Sequence, residues 1–306
     1  MLQIPDTVQV VEVGPRDGFQ NIPAFIPTDV KLDIIRKMIR AGIGKAEITS
    51  FVHPKAIPQM ADAAEIVQTI LSECHEGFQP IALIPNLYGA QRAYEMGIRE
   101  VSFVISVSEA HNKANINRTL KESFNELKQI KEKFPQLHVR IDAATAFGCP
   151  FNGKITDVQL QAYLDVIASF GIDEIILCDT IGVANPRQVA QIVDWVQQRY
   201  PAVKFGLHMH DTRGMGLANA LAGIQEGIRI VEAAVGGLGG CPFAPGASGN
   251  TATEDLLHML SAMEIQTDVQ LGLYMEAVQS VKARIKPELT SHLATVYWNN
   301  STCINF

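Results

Sequence analysis

Eight short apolar segments, each rich in β-branched residues, recur along the chain and alternate with longer amphipathic segments. The eight apolar segments are VQVVEV, KAEITSF, PIALIP, EVSFVISV, HVRIDAATA, EIILCD, KFGLHMH and RIVEAAV. Their length and composition are typical of β-strands, whereas the segments between them repeat apolar residues with the period of a helix. Strands that are apolar on both faces indicate a parallel sheet covered by helices. The alternation therefore predicts an α/β fold in which eight strand-and-helix units close into a (β/α)8 TIM barrel.

The ends of the predicted helices and the absence of linkers support this interpretation. Four helical segments end in A-G-I, M-G-I, F-G-I or E-G-I, where glycine suits a left-handed helix terminus just before the next strand. A doubly wound open sheet is the alternative, but the first strand is followed by G-P-R-D-G and not by the G-x-G-x-x-G of such sheets. We predict one catalytic domain over residues 1–306, with a helical extension from about residue 265 packed on the barrel.

The composition excludes several functional classes. The formal net charge is -7 without a block of Lys or Arg, which gives no electrostatic reason to bind nucleic acid or an anionic membrane. No apolar run approaches the roughly 20 residues of a membrane span, and MLQIPDTVQV has neither the cationic start nor the apolar core of a signal peptide. We therefore expect a soluble, cytoplasmic protein that contacts neither nucleic acid nor membrane.

Polar side chains gather at the predicted carboxyl ends of the strands, where the active site of such a barrel lies. They are Glu12, Arg16 and Asp17 after strand one, Glu47, Thr49 and Ser50 on strand two, Asp142 and Thr145 on strand five, Asp179 and Thr180 on strand six, and His208, His210 and Asp211 on strand seven. An aspartate at such a position often caps the following helix, which is the alternative interpretation of Asp179 and Asp211. The clustering as a whole predicts a catalytic site at one end of the barrel.

The two histidines of the segment GLHMHD are separated by one residue. In a strand, alternate side chains share a face, so His208 and His210 point the same way. Packed core histidines are the alternative, but this pair ends a strand opposite a second acidic strand end, which favours a metal site. Two imidazoles with a carboxylate and an amide oxygen suit Mg²⁺ or Mn²⁺ better than a soft-ligand metal, whereas a thiolate ligand from Cys241 would favour zinc.

The segment VGGLGGCPFAPGASGN follows the eighth strand and contains too many glycines to be a strand or a helix throughout. A flexible surface loop is one interpretation. The other is a mobile lid whose glycines act as hinges and whose Cys241 is delivered to a substrate. A thiol can protonate a carbanion near neutral pH, and Asn250 at the end of the segment can offer an amide oxygen to a metal.

Several motifs together resemble 3-hydroxy-3-methylglutaryl-CoA (HMG-CoA) lyase, a family of metal-dependent barrel enzymes. The motifs are VEVGPRDGFQN, AEITSFVHPKAIPQM, LIPN, FGCPFNGKI, CDTIGVANP, HMHDTRGMGLAN and GGLGGCPFAPGASGNTATEDL, and they cover nearly the full chain. Homocitrate and isopropylmalate synthases share R-D-G and H-x-H-D but not G-G-L-G-G-C-P. The resemblance implies cleavage of a 3-hydroxyacyl-CoA thioester to acetyl-CoA and a ketone or keto acid, a homodimeric enzyme and a role in leucine degradation.

The resemblance also implies the residues of the site. By motif, the ligands of a divalent metal ion, Mg²⁺ or Mn²⁺, would be Asp17, His208, His210 and Asn250. Glu254 would support this metal site from outside the ligand shell. Residues implied to contact the substrate are Gln20, Asp142 and Thr145.

Four catalytic roles follow from the same resemblance. Arg16 would stabilise the enolate that forms on the thioester oxygen, and Cys241 would protonate the acetyl-CoA carbanion. Either Asp17 or His208 would accept the proton of the C3 hydroxyl, and Glu47 would belong to the same network.

Two departures from the family pattern lie where the acyl group should bind. The family commonly continues R-D-G-L-Q-N-E where this chain has R-D-G-F-Q-N-I-P, and the family's Y-V-S before G-C-P is replaced by Asp142-Ala143-Ala144-Thr145. The Asp142 carboxylate is unfavourable beside a substrate carboxylate unless water, a cation or a proton intervenes. Three activities therefore stay open: an HMG-CoA lyase, a lyase for a related thioester such as citramalyl-CoA, and a transferase that condenses acetyl-CoA with a keto acid.

Overall fold

A closed barrel of eight parallel strands forms the centre of the protein. The structure is a computed structural model and describes residues 4–240 and 249–297. Each strand pairs with the next in chain order, and the first pairs with the eighth. The strands are β1 (Gln9–Glu12), β2 (Lys45–Ser50), β3 (Gln79–Leu83), β4 (Glu100–Ser106), β5 (His138–Ala144), β6 (Glu174–Asp179), β7 (Lys204–Met209) and β8 (Ile230–Ala233). The (β/α)8 prediction is confirmed, and all eight strands were predicted to within three residues at each end.

Helices surround the barrel. They are α1 (Thr28–Arg40), α2 (Ala63–Ser72), α3 (Leu87–Glu95), α4 (Glu109–Ile116), α5 (Leu120–Lys133), α6 (Asp157–Ser169), α7 (Pro186–Arg199), α8 (Gly216–Gln225), α9 (Thr253–Ala262), α10 (Leu271–Arg284) and α11 (His292–Tyr297). In the described ranges, none of these helices combines the length and the apolar character needed to cross a bilayer.

The glycines expected at four helix ends do adopt positive φ angles. The values are +102° at Gly42, +94° at Gly97, +68° at Gly171 and +106° at Gly227. At Gly42 a side chain is excluded for a second reason, because a Cβ there would collide with the backbone carbonyl oxygen of Asp268. These turns return the chain directly from a helix to the next strand.

The segment after α9 packs on the outside of the barrel. The Lys37 ammonium of α1 lies 2.6 Å from the Ser280 hydroxyl of α10, and Arg284 Nη1 lies 3.0 Å from Asp33 Oδ2. The Tyr274 hydroxyl donates to the fully buried Glu12 carboxylate at the end of β1. Glu12 therefore ends its strand as predicted, but its side chain faces outward to these helices. The division at about residue 265 stays a prediction.

Charged side chains, and not only apolar ones, fill the inside of the barrel. Lys45, Glu100 and Glu174 begin β2, β4 and β6, and all three are buried. The Lys45 ammonium lies 2.5 Å from Glu100 Oε1 and 3.2 Å from Glu174 Oε1, so it compensates two carboxylates. Since an unpaired charge in such a place is costly, these mutual contacts stabilise the layer.

Candidate active site

Arg16 and Asp17 lie on a helical turn, Gly14–Gly18, that follows the carboxyl end of β1. The backbone amide of Gly14 donates to Glu12 Oε1 at 2.7 Å, and a Cβ at Gly14 would lie 2.6 Å from the same oxygen. Glycine at this position therefore lets the chain turn over the end of the strand, and the turn directs Arg16 and Asp17 to the barrel mouth.

Three of the four predicted metal ligands meet at this mouth. His208 lies on β7, and His210 lies one residue beyond the strand end, where it pairs with Asn250 in an isolated antiparallel bridge. The ring centroids of the two histidines are 5.2 Å apart. One ligand atom each from Asp17, His208 and His210 lies within 4.8 Å of the other two. This spacing suits a single cation held between them.

Asn250, the fourth predicted ligand, joins the same cluster. Its Nδ2 donates to Asp17 Oδ2 at 2.7 Å and to the Leu238 carbonyl oxygen at 2.8 Å. Its Oδ1 is buried without a hydrogen-bond partner in the described part of the chain, and so is His210 Nδ1. Buried polar atoms of this kind are uncommon unless they bind something. A carboxylate, two imidazoles and an amide oxygen form a donor set that fits a divalent cation.

The electrostatics of the cluster keep its ligands in the form that binds a cation. Burial, together with the neighbouring His210, lowers the pKa of His208 to about 3, and burial also lowers the pKa of His210. Burial alone would raise the pKa of Asp17, but the Arg16 guanidinium and the hydrogen bond from Asn250 hold it below its usual value. Both imidazoles are therefore neutral and the carboxylate is ionised near pH 7.

Arg16 lies between two acidic side chains. Its Nε donates to Glu47 Oε2 on β2, and its Nη1 lies 2.5 Å from Asp17 Oδ1. Burial opposes the charge on Arg16, but Glu47 and then Asp17 raise its pKa, so it remains a cation. Gln20 Nε2 also donates to Asp17 Oδ1, at 2.9 Å. The structure thus brings Arg16, Glu47 and Gln20 to the cluster of predicted ligands.

The two predicted substrate contacts on the fifth strand have different surroundings. Asp142 lies on β5, two residues after Arg140, and its Oδ1 is buried without a hydrogen-bond partner among the described residues. Burial raises the pKa of Asp142 to about 6, because the Arg140 charge only partly offsets it. Thr145 lies beyond the strand end with φ +62° and is fully buried. Its hydroxyl donates to the Ala144 carbonyl oxygen at 2.6 Å, so it orders this turn and is not presented to a ligand.

The described hydrogen bonds of Glu254 do not join it to the predicted ligands. It is in the first turn of α9, where its Oε2 accepts from the Gly236 amide at 3.0 Å. Burial raises its pKa to about 8. Glu254 therefore holds the chain that follows β8, and the carboxylate that contacts a predicted ligand is Glu232, whose Oε2 lies 2.8 Å from His208 Nδ1.

Sequence reasoning missed Glu232 and its neighbour Arg140. Arg140 is fully buried and pairs with Glu232. A signal was present, because each is a charged residue with apolar neighbours on both sides within a strand, in VRI and VEA. A charge in such a strand requires a buried partner.

The helix-capping alternative holds for Asp211 but not for Asp179, because α7 begins after Asn185, whose side chain caps it. Asp179 accepts from the backbone amides of Val183 and Ala184 at 2.9 and 3.0 Å. Asp211 Oδ1 accepts from the first amide of α8, Gly216, at 2.7 Å. Both carboxylates therefore order the turns between a strand and the following helix.

Cys241 and residues 242–248 lie outside the described residues, so the predicted lid and thiol donor stay predictions. The chain just before them passes close to the cluster. A Cβ at Gly239 would lie 3.5 Å from Asp17 Oδ2 and would collide with Asn250 Nδ2, and Gly239 has a φ of +131°. Only glycine allows the backbone to approach the ligands this closely.

Comparisons with known proteins agree with this geometry. The family model described as HMGL-like matches residues 7–281. The hydroxymethylglutaryl-CoA lyase of Bacillus subtilis is 42% identical over 295 residues, which are 96% of this chain and 98% of the relative. The cytoplasmic 3-hydroxy-3-methylglutaryl-CoA lyase of Mus musculus is 38% identical over 97% of this chain and 86% of the relative. An HMG-CoA lyase from Acinetobacter baumannii, solved in complex with coenzyme A and 3-methylmalate, is 40% identical, covers 98% of both chains and has a TM-score of 0.91.

Proposed function

The chain belongs to the HMGL-like family, and we infer from this membership that it is a carbon–carbon lyase of the hydroxymethylglutaryl-CoA lyase type. It breaks the C2–C3 bond of a 3-hydroxy-3-methyl dicarboxyl-CoA thioester and releases acetyl-CoA and a keto acid, which is acetoacetate when the substrate is HMG-CoA. The observation that supports this best is the convergence of Asp17, His208 and His210 beside Arg16 at the carboxyl end of the barrel strands.

We propose that Asp17, His208, His210 and Asn250 hold a divalent cation, Mg²⁺ or Mn²⁺. When bound, such a cation supplies Lewis acidity that makes the C3 hydroxyl of the substrate easier to deprotonate. The oxygen- and imidazole-based donor set and the buried Asn250 Oδ1 without a partner support this proposal.

The hydroxyl proton passes to Asp17 in preference to His208. The two oxygens of a carboxylate offer about four lone-pair sites, so Asp17 Oδ2, which accepts one described hydrogen bond, from Asn250, has a further site for a proton. His208 has Nδ1 committed to Glu232, and its Nε2 is the atom left for the cation. His208 therefore serves the reaction by orienting the site.

Arg16 stabilises the negative charge that moves onto the thioester oxygen when the bond breaks. Its described hydrogen bonds use Nε and Nη1, so the guanidinium has further N–H groups to offer the enolate oxygen. The Glu47 carboxylate holds the guanidinium in place by accepting a hydrogen bond from Arg16 Nε. Protonation at C2 then completes acetyl-CoA, and we assign the proton donor to the Cys241 thiol on the strength of the motif G-G-L-G-G-C-P.

Gln20 and Asp142 are the side chains proposed to face the acyl group. A carboxylate arriving beside Asp142 would raise the pKa of Asp142 above its already elevated value of about 6. Asp142 would then retain a proton and donate a hydrogen bond to the substrate carboxylate. This resolves the apparent conflict between two acidic groups.

The same proposal extends to the compartment, the oligomeric state and the pathway of the enzyme. We propose that it acts in the cytoplasm as a homodimer and serves leucine degradation. Light scattering of the purified chain during gel filtration measures the oligomer, and a monomeric mass would contradict the dimer.

The test is cleavage of HMG-CoA by the purified full chain. With Mg²⁺ we expect acetyl-CoA and acetoacetate in equal amounts, loss of activity in EDTA, and recovery when Mg²⁺ is restored. His208→Ala should abolish cleavage, whereas His75→Ala, whose imidazole pairs with Glu73 at a distance from the site, should leave it unchanged. Activity found only in the condensation of acetyl-CoA with a keto acid would contradict the lyase assignment.

A further inference from the structure

A buried chain of charged side chains runs through the barrel from the candidate metal site towards the opposite end. Its members in order are His208, Glu232, Arg140, Glu174 and Lys45. Glu232 is 3% exposed and Arg140 is not exposed at all. Of these residues, His208 alone was predicted to belong to the site.

Glu232 lies between His208 and Arg140. Its Oε2 lies 2.8 Å from His208 Nδ1, and its Oε1 pairs with Arg140 Nη2. Arg140 Nη1 lies 3.6 Å from Glu174 Oε1, and Arg140 Nη2 lies 3.8 Å from Asp142 Oδ1. The guanidinium therefore contacts Glu232 more closely than the other two carboxylates, and an adjacent cation of this kind favours the ionised form of a carboxyl group.

An ionised carboxylate can only accept a hydrogen bond, so the proton between Glu232 and His208 must reside on Nδ1. The lone pair of a neutral imidazole is then on Nε2. We propose that Arg140 and Glu232 are a positioning pair that fixes His208 in the Nδ1–H tautomer and thereby presents its Nε2 lone pair to the metal site. The metal part of this inference rests on the proposed function, and the tautomer part does not.

The experiment first reads the tautomer in the metal-free protein. Long-range ¹H–¹⁵N spectra of histidine-labelled protein distinguish Nδ1–H from Nε2–H imidazoles, and a His208→Asn variant identifies the signal. We expect the Nδ1–H form in the wild type. An Nε2–H form there would overturn the proposal without any variant.

The second measurement is Mn²⁺ binding by titration calorimetry, which needs no substrate. In Glu232→Gln the amide oxygen should face the donor-only Arg140 guanidinium, so the amide nitrogen is left to donate to Nδ1. The proton then moves to Nε2, and that nitrogen loses its lone pair. We expect Mn²⁺ affinity to fall about 10- to 100-fold, the range typical of losing such an outer partner. If Glu232→Gln does not fold, Arg140→Met tests the same pair, because it leaves Glu232 without its cation.

The matched control is Glu174→Gln, which removes a buried carboxylate from the other side of Arg140. It should lower the melting temperature but leave Mn²⁺ affinity and the His208 tautomer unchanged. Equal losses of affinity in Glu174→Gln and Glu232→Gln would show a merely structural role and contradict the proposal. Absence of Mn²⁺ binding by the wild type would instead contradict the metal site, with the tautomer result still standing.

Discussion

Arg16 is a buried cation held between Glu47 and Asp17 before any substrate arrives. Because both carboxylates raise its pKa, the charge is fixed in place and needs no rearrangement when an enolate develops beside it. Preorganised charge of this kind acts on the transition state more than on the ground state.

Replacing Arg16 by glutamine should therefore slow the chemical step more than it weakens binding. We expect kcat for thioester cleavage to fall by about 10²–10³, the usual effect of losing one such donor, with KM changed only a few-fold. Steady-state kinetics measure both. Since Glu47 would be left without its cation, the double variant Arg16→Gln/Glu47→Gln controls for instability, and near-normal turnover in either would contradict the role.

At this scale, sequence motifs predicted the residues that meet at the mouth but not those that orient them. Asp17, His208 and Asn250 lie in motifs near strand ends, so they could be found. Arg140 and Glu232 lie on strands far apart in the chain, and only closure of the barrel brings them together. No local spacing could have predicted that pair.

The element with the widest structural influence is α9, which was not predicted. Its first turn buries Thr253, Glu254 and Asp255, and these polar residues interrupt the apolar pattern that would have indicated a helix. Asp255 accepts from the first amides of α11, and Glu254 holds the chain after β8. The helices α4 and α11 were also not predicted. α4 is short and polar, with Ser108 at its start and Asn117 at its left-handed end as its clearest signals.

Burial of Glu254 should make the stability of the protein depend on pH. Its pKa is raised from the ordinary 4.5 to about 8, so between these values the folded chain keeps a proton that the unfolded chain has lost. The free energy of unfolding should therefore fall as the pH rises from about 4.5 to about 8, by an amount on the order of a few kcal/mol, and no further above that.

Glu254→Gln imitates the protonated carboxyl and should remove this contribution to the pH dependence. Melting temperatures at pH 5 and pH 8 measure it: the wild type should lose several degrees more than the variant between the two. Glu276→Gln, which alters an exposed pair with Arg40, is the control and should behave as the wild type. Parallel pH profiles for the wild type and Glu254→Gln would contradict the buried, protonated state of Glu254.

The whole molecule depends on closing a barrel around an interior that is partly charged. Residues Gln9 to Glu12 of β1 pair with Ile230 to Ala233 of β8, and this pairing completes the wall. The alternation of strands and helices predicted that closure. The same alternation could not predict which side chains of KAEITS point into the barrel. Both faces of this strand are buried, so either orientation would bury its apolar residues.

Side chains inside the closed barrel pack tightly enough to require glycine at position 206 of β7. A Cβ at Gly206 would lie 2.5 Å from Ile176 Cδ1 and 3.1 Å from Ile230 Cβ, on the two neighbouring strands. Gly206→Ala should therefore push those strands apart and destabilise the fold by about 1–3 kcal/mol, the usual cost of an overpacked interior. Gly272→Ala is the matched control, because a Cβ there meets nothing within 4 Å and alanine favours the helix α10. Thermal unfolding should show a lower melting temperature for Gly206→Ala and an unchanged or higher one for Gly272→Ala. Equal shifts would mean that β7 can accept a side chain at this position and that the interior is less closely packed than its contacts indicate.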